Sequence, residues 1–482
     1  MPRVRVQNWK RSITYHANSV ERITSVAQLQ EIVRDKERYP SPVRAKGSHH
    51  STTRCVVAEG GTVADFSRFN EIVEIDKDAK TITMQAGVQQ IDAAKALEKE
   101  GLQFFTNIEL GNLTMGSGAT GGTKDASYFD NGEWEFGQVC SYCVGMKCVM
   151  PDGSLREFTE EGDPDIFPAL RTGYGMIGIA YEVTFRVKEI SAMAVEHQLF
   201  TVDEFADKLD ALIAQERSIM LYLFPFLDKV LVEYRYDTDK EMDTDSKAWA
   251  IRNYTWKTVW PFIANALAFL PWRAARYWIT DQLNRGTAWF MSTQLRDTNS
   301  SPASQIIRYS EMGGFASYTF SIWAFPRHEY AETIKKYFAF SKEYYALNGY
   351  RCDMLNVGYH IAQDTKGLFS YTRDWPALTL DPVASGSKGW EGFLHAYNIF
   401  CSENNGRPLF NQSGSVTPLQ AKKAFGPEIA MFKAIREKMD PEERFYNAHF
   451  RKLFSEVQTP AEQAAASAPS DTPAPASAPE DA

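Results

Sequence analysis

The apolar positions change period along the chain, and each change predicts an element. Over residues 25–39, "SVAQLQEIVRDKERY", Val26, Leu29, Ile32 and Val33 recur at helical spacing behind Ser25, a good cap. "PVRAK" predicts a strand running into a turn at Gly47. "EIVEID" and "TITMQAG", split by "KDAK", predict a β-hairpin, and "QQIDAAKALEKEG" a helix stopped by Gly101. "DPDIFPALRTG" predicts a short helix capped by Asp163, with Pro164 in its first turn. In "GYGMIGIAYEVTFRV", Ile177, Ile179, Tyr181, Val183, Phe185 and Val187 alternate with smaller or polar residues, which predicts a long strand with one buried face.

The texture shifts near residue 190. "VDEFADKLDALIAQ" reads as a helix, "IMLYLFPF" and "KVLVEYRY" as strands, and mixed α/β continues to about 400. "GPEIAMFKAIREKMDP" predicts an amphipathic helix through Ile429, Phe432, Ile435 and Met439, ended by Asp440–Pro441. From Val457 the chain is rich in Ala, Pro and Ser without an aromatic residue, which predicts disorder. At 482 residues the chain is too long for one core. The expected division is residues 1–190, 191–456 and a tail of 457–482.

Composition narrows the function classes. A net charge of −9 without a Lys/Arg block argues against a nucleic-acid surface. The N-terminal "MPRVRVQNWKRSITY" lacks the apolar run of a secretion signal, so a cytoplasmic location with six reduced cysteines is expected. "VCSYCVGMKC" holds one CxxC with no second pair or nearby His. It predicts a strand with buried thiols rather than a metal site. "WPFIANALAFLPW" is too short to span a bilayer. With "RAARYWITDQL" it makes residues 254–280 basic and aromatic. Burial in a core or interface is the favoured reading there, and peripheral membrane contact the alternative.

Three glycine-rich turns, "KGSHHST", "MGSGATGGT" and "TGYGMIG", lie on the β/α elements of the first 190 residues. None has the spacing of a Rossmann turn or a P-loop. Glycine lets backbone N–H groups come close to a ligand, and Ser48, Ser51, Ser117 and Thr120 add hydroxyls. The set suits a pyrophosphate.

In order and spacing, "RAKGSHHS", "MQAGVQQIDAAKALEKEG", "GSGATG", "VGMKCVMPDG" and "DPDIFPALRTGYGMIGI" resemble the FAD domain of the vanillyl-alcohol oxidase / p-cresol methylhydroxylase-type flavoproteins, over about residues 15–188. "NGRPLFNQ" and "FKAIREKMDPEERFYNAHFRKLF" are similar to the C-terminal end of the aldonolactone and alditol oxidases, the group of gulono- and arabinono-1,4-lactone oxidases. The resemblance implies an α+β fold: a p-cresol methylhydroxylase-type FAD-binding domain of two α/β subdomains, then an α+β substrate or cap domain whose end returns to the first. It implies FAD as cofactor and no metal. His50 would be joined covalently to the flavin 8α carbon with His49 beside it, the alternative being a His50 that packs against non-covalent FAD. Lys46, Gly47, Ser48, Ser51, Gly116, Ser117, Thr120 and Gly121 would meet the diphosphate. Gly173, Gly178 and Ile179, with Val183 nearby, would lie on the adenine and ribose side, and Asn447 where the C-terminus returns.

The implied reaction is oxidation of a CH–OH group of a sugar lactone, polyol or related alcohol by hydride transfer to flavin N5, with O2 or another acceptor reoxidising the flavin. The sequence departs from the pattern at the substrate end. "DMLNVGYHIAQD", residues 353–364, has no Glu-x-Arg, Leu409–Phe410 replaces His-Trp, and Gln412 stands where the group has Lys. These losses predict a different, less polar substrate. Arg407, Tyr359, His360 and Gln412 are the candidates for the catalytic end. The competing reading is a dehydrogenase that passes electrons from a lipid-linked or hydroxy-acid substrate to a quinone or protein acceptor, with 254–280 as a membrane platform. A flavin-less binding protein that kept the fold is the non-enzymatic alternative.

Overall fold

Strand pairing in the computed structural model, which describes residues 3–296, 298–309 and 318–457, builds three principal sheets. The tail predicted after Val457 lies outside the described residues. β1 (Ser19–Arg22), β2 (Val43–Lys46) and β3 (Thr62–Asp65) form a parallel sheet in the order β1-β3-β2. The crossover helix α1 (Val26–Arg34) buries Leu29, Ile32 and Val33, and the Ser25 hydroxyl accepts a hydrogen bond from the Gln28 N–H at 3.2 Å.

The second sheet is antiparallel. It comprises β4 (Ile72–Asp76), β5 (Thr81–Gln85), β6 (Cys143–Val149), β7 (Leu155–Thr159) and β8 (Ile179–Arg186), in the order β7-β6-β8-β5-β4. Helices α2 (Gln90–Lys99) and α3 (Met115–Thr120) connect β5 to β6. Cys143 and Cys148 on β6 are buried.

Two local expectations change. β8 does not keep one buried face: its register against β6 slips where Lys147 pairs with Glu182 and Cys148 with Ala180, leaving Tyr181 as an extra residue. Ile179 and Tyr181 therefore pack in the core under α1, while Val183 and Phe185 pack in the larger core on the other side. One bulged residue inverts a period-two pattern. The short helix α4 starts later than predicted, spanning Phe167–Arg171, and Pro168 rather than Pro164 occupies its first turn. The Asp163 carboxylate accepts from the Thr159 N–H at 3.2 Å and pairs with Arg156 instead of capping.

The third sheet has seven strands: β9 (Ala192–Thr201), β10 (Ser218–Phe224), β11 (Lys229–Thr238), β12 (Trp323–Pro326), β13 (Asn356–Ile361), β14 (Ala377–Leu380) and β15 (Arg407–Pro408). Their order is β9-β11-β10-β13-β14-β12-β15, antiparallel throughout. The continuous apolar run of β10 has two destinations. Ile219, Leu221 and Leu223 face a core built with α5 (Val202–Ile213). Met220, Tyr222 and Phe224 face the core shared with the second sheet.

Helices α6 (Lys247–Tyr254), α7 (Trp260–Leu267) and α8 (Arg273–Gln294) follow β11. Helices α9 (Arg327–Asn348) and α10 (Trp390–Glu403) complete the α5 core through Tyr330, Tyr337, Phe393 and Tyr397. α11 (Pro418–Met439) starts eight residues before the predicted helix. Thr417 and Gln420 form a capping box, and the helix bends at Phe425 just before Pro427.

The chain end then returns to the first sheet. The Arg444 guanidinium donates to the Ile32 and Val33 carbonyls at 2.7 and 2.9 Å. Asn447 caps α12 (Ala448–Leu453), and its amide donates to the carbonyls of Arg54, Cys55 and Val57 at 3.0–3.2 Å. This fixes the segment immediately after the two adjacent histidines.

Candidate active site

The first two glycine turns touch. Gly47 follows β2 and lies against Thr114, at the foot of the second turn; a Cβ on Gly47 would stand 2.1 Å from the Thr114 hydroxyl oxygen. A Cβ on Gly116 would stand 2.7 Å from the Ala86 Cβ. Any larger residue would push the turns apart. The third turn places Tyr174 and Gly175 in the left-handed region, at φ 50° and 69°. Together the turns line one cleft.

Of the residues the sequence singled out, Lys46, Gly47, Ser51, Gly116, Ser117, Thr120, Gly121 and Ile179 line this cleft, joined by Tyr174, Gly175 and Asn411. Lys46 is oriented by an ion pair with Asp65 at 2.8 Å. Ser48, Gly173, Gly178 and Val183 lie outside the lining. Gly173 is needed for chain reversal, since its Cβ would strike the Ala169 carbonyl at 2.2 Å. Gly178 backs onto Cys148 Cβ at 3.3 Å, and Val183 points into the core beyond the bulge.

The two histidines point apart. His49 has φ 58° and turns its ring toward Tyr15, at 5.9 Å between centroids. His50 turns toward Trp9 at 4.4 Å, and Trp9 in turn meets Tyr309 and Tyr318 at 5.5 and 5.9 Å. Burial, and then the neighbouring His49, push the His50 pKa down to about 3. Its imidazole is neutral near pH 7, and its buried Nδ1 has no hydrogen-bond partner among the described residues.

Tyr309 and Tyr318 line a second cavity, with Trp256, Phe320 and Tyr359 as further aromatic walls. It adjoins the cleft through two short segments. Gly121 lines one and Thr123 the other; Asn411 lines one and Gln412 the other. Side-chain oxygens of both Asn411 and Gln412 are buried without partners among the described residues. Native interiors seldom leave such groups unmet, so they fit a polar ligand spanning both spaces.

The cavity's charged groups are Glu109, Lys124 and Asp381. Lys124 Nζ lies 2.6 Å from Asp381 Oδ2 and 3.6 Å from the centre of the Tyr359 ring, with both charged side chains buried. Burial raises the Asp381 carboxyl to about 6 against the opposing pull of Lys124, and burial lowers Lys124. Asp381 Oδ1 is buried with no hydrogen-bond partner in bonding geometry among the described residues, and the neighbouring Thr379 hydroxyl favours the charged carboxylate.

Sequence reasoning did not single out this pair. Lys124 had a visible signal, since it ends the second glycine turn, "GATGGTK". Asp381 had none: it follows β14 and reaches the cavity because its backbone pairs with Val357 beside β13.

The four sequence candidates separate. Tyr359 and Gln412 line the cavity. His360, next along β13, faces the other way and packs edge-on against Trp134 at 4.6 Å, where burial pushes its pKa down to about 3. Arg407 lies outside the cavity lining. It pairs with Asp374 and lies 5.1 Å from the Trp375 ring centre, and its strand β15 leads directly into Leu409 and Gln412.

Comparison with known proteins accords with this geometry. Residues 17–159 match the family model "FAD binding domain", and residues 183–453, more than half the chain, match "D-arabinono-1,4-lactone oxidase". The chain belongs to the D-arabinono-1,4-lactone oxidase family. Members of that family are FAD-dependent oxidoreductases acting on CH–OH donors, and so is this protein. It is 22% identical to L-gulonolactone oxidase of Mus musculus over 455 residues, covering 94% of this chain and 98% of that protein. It is 20% identical to L-gulono-1,4-lactone dehydrogenase of Mycobacterium tuberculosis over 453 residues, covering 92% and 98%.

Solved structures share the fold of this family member. Cholesterol oxidase from B. sterolicum superposes with TM-score 0.73 at 14% identity, covering 94% of this chain and 97% of that one. Xylooligosaccharide oxidase from Myceliophthora thermophila superposes with TM-score 0.63 at 14% identity, covering 92% and 93%. The α+β, p-cresol methylhydroxylase-type fold implied by the motifs is the fold of this chain.

Proposed function

We propose that this oxidoreductase acts on the carbinol of an aldonolactone or a related, less polar alcohol bound in the aromatic cavity. Asp381 is its proton acceptor. The observation that carries this reading is the buried, unpaired Oδ1 of Asp381, in a cavity that adjoins the glycine-lined cleft. Residues 1–190, with Asn411, supply the cofactor cleft, and residues 191–456 most of the cavity wall. Lys46, Gly47, Ser51, Gly116, Ser117 and Thr120 would hold the diphosphate, and Tyr174, Gly175 and Ile179 the adenosine end.

FAD bound there supplies the acceptor for the hydride leaving the carbinol carbon. The chain does the rest. Asp381 Oδ1 takes the hydroxyl proton, and Lys124 holds the carboxylate in place through Oδ2. Gln412 and Tyr359 orient the substrate, and the aromatic walls exclude water. His50, neutral and turned toward the cavity's aromatic wall, would hold the flavin covalently, its ring nitrogen replacing a hydrogen of the 8α methyl while the two electrons released leave through the flavin to its acceptor.

One preparation tests both parts. Anaerobic addition of aldonolactones bleaches the flavin absorbance, and bleaching that no lactone, polyol or hydroxy acid produces would refute the substrate class. Acid precipitation of the same sample keeps the yellow colour in the pellet, and His50→Ala releases it to the supernatant. Colour in the wild-type supernatant would end the covalent reading and leave FAD binding intact.

We further infer a cytoplasmic location at a membrane surface, contacted through residues 254–280. No helix among the described residues is long and apolar enough to cross a membrane. Yet Phe262, Phe269, Trp272 and Trp278 are between 54% and 76% exposed. Among the bases of this stretch, Arg273 and Arg285 are exposed and Lys257 is half-buried, in a chain of net charge −9. Aromatic rings with basic neighbours suit an anionic headgroup layer. All six cysteines are free thiols, as in a reducing compartment. The protein is expected to sediment with phosphatidylglycerol-containing vesicles and not with phosphatidylcholine vesicles. Equal behaviour with both would count against an anionic surface.

A further inference from the structure

Behind the outward aromatic face lies a third cavity that the reaction above does not use. The inner sides of α7 and α8 line a cavity of about 280 Å³ against Tyr222 and Leu355 of the sheet region. Its walls are apolar and aromatic: Trp256, Trp260, Ile263, Leu283, Phe290 and Met291. Trp256 also walls the reaction cavity, so one indole separates the two spaces. The polar end is Arg252, whose guanidinium donates to the Tyr222 hydroxyl at 3.3 Å and pairs with Glu109 of the reaction cavity.

Gly286 is the informative residue. Glycine weakens a helix interior, and this one sits in the middle of α8. Crowding does not demand it, because an added Cβ would meet no heavy atom within 4 Å. It lines the cavity, and Gln282 and Gly286 are both exposed, which places the mouth there. The mouth lies on the helix that carries Trp278 and Trp289 outward.

We propose that this cavity binds a quinone from the membrane as the electron acceptor of the enzyme. The proposal rests on the oxidoreductase reading and on the membrane contact inferred above. A quinone ring is flat and apolar and stacks on indole and phenyl faces. Its carbonyl oxygens accept hydrogen bonds, and Arg252 is a donor-only group at the inner end. Its apolar tail leaves through the mouth into lipid. The quinone takes up two electrons and two protons and departs as the hydroquinone; the electrons and one proton come from the cofactor reduced by the substrate, and the second proton is the hydroxyl proton that Asp381 releases.

The test titrates a decyl-substituted 1,4-benzoquinone into the holoenzyme without substrate or vesicles and follows tryptophan fluorescence, since Trp256 and Trp260 form the wall. Wild-type protein shows saturable quenching. Gly286→Ala, which adds one methyl group, retains it. Gly286→Leu, which fills the cavity from a position with room for a side chain, weakens it at least tenfold and slows quinone-driven reoxidation by a similar factor. Lactone-driven bleaching and vesicle sedimentation of that variant stay at wild-type levels, which separates the cavity from the substrate and membrane readings. Absence of saturable quenching in the wild type, or equal affinity in wild type and Gly286→Leu, overturns the assignment.

Discussion

Asp381→Asn lowers the rate of substrate-driven flavin reduction by about 10²–10⁴-fold, the range for loss of a positioned general base. The substitution conserves shape and removes the basic oxygen. It also strips the buried Lys124 of its counter-charge, 2.6 Å away. The pH profile gives the sharper reading. Burial holds the Asp381 carboxyl up near 6, and a base acts only when deprotonated. Wild-type kcat/KM therefore falls about tenfold per pH unit below 6 and levels off above it. Asp381→Asn is flat across the same range. Stopped-flow reduction under anaerobic conditions measures both, and an Asn variant that keeps the wild-type rate and slope removes Asp381 from the chemistry.

Arg235→Met destabilises the protein by about 3–5 kcal/mol, the usual cost of removing one member of a buried charge cluster. Arg235 is fully buried beneath the reaction cavity. It lies 2.7 Å from Glu233, 3.3 Å from Asp125 and 3.7 Å from Glu109. Glu233 also meets the His197 ring nitrogen at 2.8 Å and accepts from the Tyr222 hydroxyl at 3.1 Å. Burial alone would raise the Glu233 carboxyl; the Arg235 charge and the His197 hydrogen bond override it and hold it well below the usual carboxylate range. Methionine matches the stem of Arg and leaves Glu233 and Asp125 without their guanidinium, while Glu109 keeps its pair with Arg252. Arg235→Lys restores only part of the loss, because an ammonium cannot reproduce the forked geometry. Urea denaturation reads the effect, and an unchanged midpoint for Arg235→Met would show that the cluster contributes little.

These two predictions show where reading the sequence stops. Glu233 and Arg235 sit in "KVLVEYRY", where alternation predicts a strand. The same alternation invites the charged positions to face water. They face inward because β11 lies inside a seven-stranded sheet that presses on the second sheet, so both faces are buried. The predicted single face of β8 failed for a local reason: one bulged residue at Tyr181 is invisible to a period of two.

The sequence by itself determined what short spacing can encode. The glycine turns, with the helices and hairpin between them, specify backbone geometry over a few residues, and a cofactor cleft is built from such pieces. Their order sufficed to imply the flavoprotein fold and the FAD. The tertiary structure decided which side chains meet across long separations. Lys124 and Asp381 are 257 residues apart and touch only because pairing beside β13 carries Asp381 onto the end of the second turn. It also turned His50 toward Trp9 and His49 away, though the two are neighbours in the chain. A contact of that kind depends on the packing of whole sheets, and no local pattern of hydrophobic and polar residues records it.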